Sequence, residues 1–197
     1  MLFGLAPAAI ADELAPDALI RQITAEVLDA IKHDPELRSG DRRKSLALAE
    51  DKVLPYIDFR YAMQTAVGPP WASASSDQQE KLTAEFRSML IRVYSLAIGV
   101  YRGQTMEVLP VRMAAGATEA NVRAQYRGSD GRRIAIEYAV HKVQSGWKVF
   151  DITVEGVSLV LAYRSDFSQV LRQSGVDGLI KAMADKNRVA LGSGTTG

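Results

Sequence analysis

Arg133-Ile-Ala-Ile-Glu-Tyr-Ala-Val-His141 and, after five intervening residues, Trp147-Lys-Val-Phe-Asp-Ile-Thr-Val-Glu155 are the stretches on which the fold turns. The first alternates cleanly. Ile134, Ile136, Tyr138 and Val140 stand on one parity, against Ala135, Glu137, Ala139 and His141 on the other, the two-residue period of a half-buried strand. The second is apolar on both parities, with Trp147 and Val149 on one and Phe150, Ile152 and Val154 on the other. That pattern predicts a strand covered on both faces. Gln144-Ser145-Gly146 between them reads as a hairpin loop. Two earlier runs, 105–112 and 120–127, join the set through the loop Gly128-Ser129-Asp130-Gly131. Short connections predict an antiparallel meander of about four strands.

Upstream of the strands the chain reads as helical. Pro16 sits where a first helical residue is tolerated. Ile20, Ile23, Val27 and Ile31 share a face, and His33-Asp34-Pro35 ends that helix. Asp41 can cap a second helix carrying Leu46, Ala49 and Val53, interrupted at Pro55. A third runs from about 58 to 67, with Gly68 as its stop. Ser76-Asp77-Gln78-Gln79 reads as a capping box opening the longest helix. Between 89 and 101 only Arg92, Ser95 and Gly99 interrupt its apolar residues. A helix apolar nearly all round is buried on both sides. One side meets the core; the other needs a second apolar layer, a partner or a ligand cavity. Downstream, Gly156 breaks the last strand and Ser158 is expected to cap a helix reaching Ser174, with Gly175 as a left-handed stop. A final helix is expected over about 177–186. The class is α+β.

Composition narrows the function. The chain has 197 residues, 47% hydrophobic and 24% charged, which is ordinary for a globular domain. A net charge of +1 gives no basic field for sequence-blind nucleic-acid binding. There are no cysteines, so thiol chemistry and disulfides are excluded, and two histidines are too few for a multi-histidine metal site. No apolar run approaches the roughly 20 residues of a membrane-spanning helix. Residues 1–11 are apolar and end Ala9-Ile10-Ala11 before Asp12, the small-x-small pattern of a signal-peptide cleavage site, though without its basic start. The expected organisation is a signal-peptide remnant at 1–11, one α+β domain over 12–190 and a flexible tail over 191–197.

No catalytic constellation stands out. Ser158 in Gly156-Val157-Ser158 is half of a nucleophile elbow, without the second glycine or a later histidine. Asp151 and Glu155, on one strand, would lie roughly 13 Å apart, beyond a working glycosidase pair. Asp151 is expected to be buried and hydrogen-bonded, His141 solvated on the polar parity of its strand, and His33 near a helix C-terminus. No phosphate loop, dinucleotide fingerprint or calcium loop is present. A doubly covered sheet, an over-apolar helix and no chemistry suggest a carrier of an apolar ligand.

Two blocks of residues carry a family resemblance. The first is Leu54-Pro55-Tyr56-Ile57-Asp58-Phe59, then Ala62-Met63, Gly68-x-x-Trp71, Ala74-Ser75-x-x-Gln78, Phe86 and Tyr94. The second, more specific, is Trp147-x-Val149-Phe150-Asp151-Ile152-x-Val154-Glu155-Gly156-Val157-Ser158-Leu159-Val160, then Tyr163-Arg164-x-x-Phe167 and Gly175-Val176-Asp177-Gly178-Leu179-Ile180. Their order and spacing resemble the MlaC, or toluene-tolerance, family from about 19 to 186.

The resemblance implies a soluble periplasmic phospholipid-binding protein without a cofactor, whose cargo is the phospholipid itself. It implies shuttling between an outer-membrane lipoprotein–porin complex and an inner-membrane ABC transporter complex with an anchored substrate-binding subunit, maintaining outer-membrane lipid asymmetry. The implied fold is a curved antiparallel sheet of nuclear-transport-factor-two-like kind, wrapped by helices, with an apolar cavity between sheet and helices. On the long helix the candidate lining is Met89, Val93, Tyr94, Ala97 and Tyr101. On the strands it is Val108, Ile136, Tyr138, Trp147, Val149, Ile152 and Val154. Beyond them it is Val157, Leu159, Val160, Tyr163 and Phe167, with Val157 expected to point into the cavity and Arg164 to meet the head group. Two other readings remain open: a small isomerase using Asp151 beside Tyr138 and His141, and a lipid-free adaptor.

Overall fold

A computed structural model describes residues 14–94, 105–128 and 130–192. The expected cleavage site, together with Ala97 and Tyr101, lies outside them. Helix α1, Pro16–His33, begins at its proline as expected. A short helix, α2 (Pro35–Ser39), follows where only a stop was expected. Asp34 caps it through the amides of Glu36 and Leu37, and Gly40 closes it in a left-handed conformation. Asp41 caps α3, Arg42–Lys52, and Pro55 sits in a 3-10 turn after it. Asp58 caps α4, Phe59–Val67, which Gly68 ends with φ 71°. Helix α5 spans Ser76–Tyr94. Its capping box lies one residue earlier than expected. The Ser75 hydroxyl accepts from the Gln78 amide at 3.2 Å, and the Gln78 side chain accepts from the Ser75 amide at 3.0 Å. Gln79 instead reaches back to the carbonyls of Trp71 and Ala74.

The sheet is an open antiparallel meander of five strands in sequence order. They are β1 (Thr105–Val108), β2 (Glu119–Arg127), β3 (Arg133–Val143), β4 (Gly146–Val154) and β5 (Val157–Ser158). The fifth strand is too short to show a period in sequence. It is made by a tight turn in which Glu155 and Gly156 take φ 49° and 83°, the twist-compatible geometry of a two-residue hairpin. The Glu155 carboxylate is held by the Ala135 amide, so Glu155 is a turn residue and not a strand neighbour of Asp151.

The double parity of β4 has a local cause. Val140 pairs with Val149, yet Ala139 pairs with Asp151, so β4 carries one extra residue, Phe150. This bulge puts Trp147, Val149, Ile152 and Val154 all on the face shared by Ile136, Tyr138 and Val140. Phe150 turns to the other face, edge-on to Tyr61 of α4 at 4.9 Å.

After β5 the Ser158 hydroxyl accepts from the Leu161 amide and opens a 3-10 turn, Leu161–Tyr163. The turn's N-cap position is Val160, so Ser158 braces the turn from two residues before that position and does not cap the helix. Helix α6 starts at Arg164 and runs to Gly192, past the expected end, with a break at Gly175 (φ 65°, ψ −166°). Burial divides into two clusters. A helical core gathers Ala62, Met63, Trp71, Leu82, Phe86, Leu179 and their neighbours from α4, α5 and α6. A sheet core gathers Leu19 and Ile20 of α1 with Val108, Val122, Val140, Trp147 and Val149.

Candidate functional site

The apolar face of the sheet is unevenly covered. Leu19 and Ile20 of α1 rest on it and bury Val108, Val122, Ala124, Val140, Trp147 and Val149. Ile134, Ile136, Tyr138, Ile152 and Val154 continue the same face and are only partly buried. Where α1 meets β1 a groove of about 630 Å³ opens, lined by Arg21, Thr24, Leu28, Lys32, Met106 and Val108 among others. That volume falls within the range of small-molecule sites. Arg21 is clamped there, donating to the Asp17 carboxylate and to the Val108 carbonyl at 2.9 Å. Met106 marks the join between groove and sheet face. Its sulfur receives the Tyr138 hydroxyl and the Thr24 hydroxyl, each at 3.5 Å. Burial pushes the Tyr138 phenol up to about 12.

The candidate lining separates between the two cores. Val108, Trp147 and Val149 are buried in the sheet core, with Ile136, Tyr138 and Ile152 packed against it and Val154 partly buried on the same face. Met89, Val160 and Phe167 belong to the helical core, where Tyr163 packs beside them. They pack among helices and not on the sheet face. Leu159 is partly buried. Val93 and Tyr94 lie in the last turn of α5, their side chains outside the described set. Val157 does not point into an enclosed space. It is 60% exposed, because the tight Glu155-Gly156 turn carries it to the sheet's edge. Arg164 is remote from the α1–β1 groove. Its guanidinium donates to the Thr65 carbonyl at 2.6 Å beside Gly68, tying α6 to α4.

His141 is not solvated. Its side chain is 12% exposed, 3.0 Å from Asp58 and stacked on Tyr61 with ring centroids 4.2 Å apart. Tyr61 of α4 covers the His141 end of that face, while Ala135 on the same parity stays exposed. The Tyr61 hydroxyl in turn donates to Glu119 at 3.0 Å, and this carboxylate raises the Tyr61 pKa. Asp151 is buried as expected. It accepts from the amides of Ile152 and Val160 and from the Ser158 hydroxyl. It pairs with Ala139, on the opposite face from Tyr138, which removes the geometry an isomerase reading needs.

Sequence reasoning missed Thr24, Met106 and Arg21. Thr24 is hidden between Ile23 and Val27 in an apolar helical stripe, and only pairing of α1 with β1 reveals it. Among the described residues no group of three or more His, Asp or Glu could hold a metal ion, and no helix is long and apolar enough to cross a membrane.

An open antiparallel sheet, apolar on one face and wrapped by helices, defines an α+β module. The chain belongs to the MlaC family: the family model described as MlaC protein matches residues 21–185. It is 24% identical over 174 residues to the intermembrane phospholipid transport system binding protein MlaC of Haemophilus influenzae, covering 87% of this chain and 81% of that one. It is 20% identical over 163 residues to the toluene tolerance protein ttg2D of Pseudomonas putida, covering 82% and 75%. In structure it is similar to the phospholipid-binding protein of Ralstonia solanacearum solved in complex with a phospholipid. There the TM-score is 0.80 at 35% identity, covering 89% of this chain and 98% of that one. These relatives are named for binding or transport, or for tolerance to a solvent, and not for catalysis.

Proposed function

We propose that this chain is a periplasmic phospholipid carrier that shuttles glycerophospholipid between an outer-membrane lipoprotein–porin complex and an inner-membrane ABC transporter complex, and so maintains outer-membrane lipid asymmetry. The observation that carries the reading is the partly buried apolar row Ile134, Ile136, Tyr138, Ile152 and Val154, which continues the sheet face beyond the cover of α1. The phospholipid held by the Ralstonia relative supports it.

The physics fits the role. Each buried CH₂ is worth about 0.8 kcal/mol, so two chains of ~16 carbons oppose free passage through water by roughly 25 kcal/mol. Moving from a bilayer to an apolar protein face exchanges one apolar surrounding for another and can be nearly neutral. Such a carrier needs docking partners and no energy source of its own.

Detergent-free protein, extracted into organic solvent and analysed by mass spectrometry, is expected to yield near-stoichiometric diacyl phospholipid. Folded protein without phospholipid would overturn the carrier reading in favour of the adaptor. Osmotic-shock fractionation of the native host is expected to release the protein with the periplasmic contents.

A further inference from the structure

Among the described residues, two hydroxyls at the join between groove and sheet face have a thioether as their acceptor. Tyr138 and Thr24 both point their oxygens at the Met106 sulfur, at 3.5 Å each, and a thioether is a weak acceptor. Several other helical hydroxyls return to their own backbone, and the buried Ser45 hydroxyl finds no partner among the described residues. Thr65 donates to the Tyr61 carbonyl at 2.8 Å, Thr83 to Gln79 at 2.7 Å and Ser88 to Ala84 at 3.0 Å. Thr24 turns to the sheet instead. Thr24 and Met106 line the groove and Tyr138 reaches the same sulfur from the sheet face, so two neutral donors converge on one flexible side chain with three rotatable bonds that let it move aside.

The surroundings say which acceptor would replace the sulfur. On one side lie Ile134, Ile136, Ile152 and Val154, suited to hydrocarbon. On the other lie the charged groove residues Arg21, Glu26, Asp29 and Lys32. In a glycerophospholipid the group between hydrocarbon and charge is the acyl ester, a neutral carbonyl acceptor that matches neutral hydroxyl donors. We propose that Tyr138 and Thr24 donate hydrogen bonds to the acyl-ester carbonyls of the bound glycerophospholipid, exchanging the Met106 sulfur for them. This inference rests on the carrier reading. It makes the linkage of the chains, as well as their apolarity, a determinant of cargo.

The test compares uptake from vesicles of ester-linked phosphatidylcholine with uptake from vesicles of its ether-linked analogue, equal in head group and chain length. The protein is expected to favour the ester by about fivefold to tenfold, the worth of one or two net hydrogen bonds. Tyr138→Phe and Thr24→Val should each lower that preference severalfold, and the double variant should abolish it. Both substitutions keep the side-chain shape and remove oxygens whose partner is a thioether, so melting should match the parent. Equal uptake of the two lipids by the parent, or a preference undiminished in the double variant, would overturn the inference and leave the carrier reading standing. Uptake of neither lipid by the parent would overturn the carrier reading, and this inference with it.

Discussion

The helical core and the sheet core are built from the same kinds of residue and do different work. In the helical core Met63, Leu82 and Phe86 have no exposed surface, and Tyr163 and Phe167 stack their rings beside Phe86. In the sheet core burial is complete under Leu19 and Ile20 of α1 and fades along the same strands toward Ile134 and Val154. A closed core resists unfolding; an open one leaves apolar surface for a ligand. On the proposed carrier reading, stability and cargo binding fall to separate parts of this molecule, joined by the α4 seam at His141 and Asp58.

Breaking the closed side should give the largest effect. Phe86→Ala removes a fully buried ring and is expected to lower unfolding stability by about 3–5 kcal/mol, measured by denaturant titration. The phospholipid carried per folded molecule should stay at the parent level. A variant that keeps its stability but loses its lipid would place Phe86 in the cargo site and erase the comparison.

The next test puts a charge on the open side. Ile136→Glu places a carboxylate on the half-covered row. In a closed core an unpaired charge costs several kcal/mol of stability. On the open face water reaches it when cargo leaves, so the cost falls on the lipid. Expected is a variant whose melting temperature lies within a few degrees of the parent but whose solvent extract contains little phospholipid. A strongly destabilised variant would show that Ile136 is ordinary core.

How much of this was legible follows from the range of the interactions. Asp58 and Asp41 accept from amides within their own turn, and Gly68 donates its amide to the Gln64 carbonyl one turn back, so these caps are readable from neighbours alone. The shift of the box from Ser76 to Ser75 is a choice between two adjacent serines that local sequence leaves open. The Phe150 bulge was not readable, because one inserted residue looks like a strand apolar on both sides. His141 was misread because its cover, Asp58 and Tyr61, lies some eighty residues earlier. The candidate lining contained the sheet residues but joined them to Met89, Val160, Tyr163 and Phe167, which are apolar for a different core. Apolar periodicity reveals that a face is buried and carries no information on which neighbour buries it.

A smaller effect should appear in alkali. The Tyr138 phenol is raised to about 12 by burial, against about 10 in an unfolded chain. Its raised value means that the folded state holds the proton longer. The contribution is fully present below pH 10 and is lost as pH rises from 10 through 12. The parent's melting temperature should therefore fall more steeply over that window than that of Tyr138→Phe. Parallel curves would mean the phenol is as solvated as a surface tyrosine, and the sheet core more open at its centre than at its edge.

The smallest effect is expected at Val157, where the open side ends. Its place after the strand break at Gly156, in the segment most like the family, invites the reading that it lines the cavity, and a charge there would then expel lipid. Its position argues otherwise. Glu155 and Gly156 reverse the chain in two residues, Val157 pairs with Val154 at the sheet's outer strand, and 60% of the residue faces solvent. A carboxylate in that place stays hydrated, so no burial cost arises for either fold or cargo. Val157→Glu should change stability by no more than about 0.5 kcal/mol, as surface substitutions do, and its solvent extract should match the parent's in phospholipid. Loss of lipid from a stable Val157→Glu protein would mean that the acyl chains reach past Val154 to the strand's edge, and would extend the open face by one residue pair.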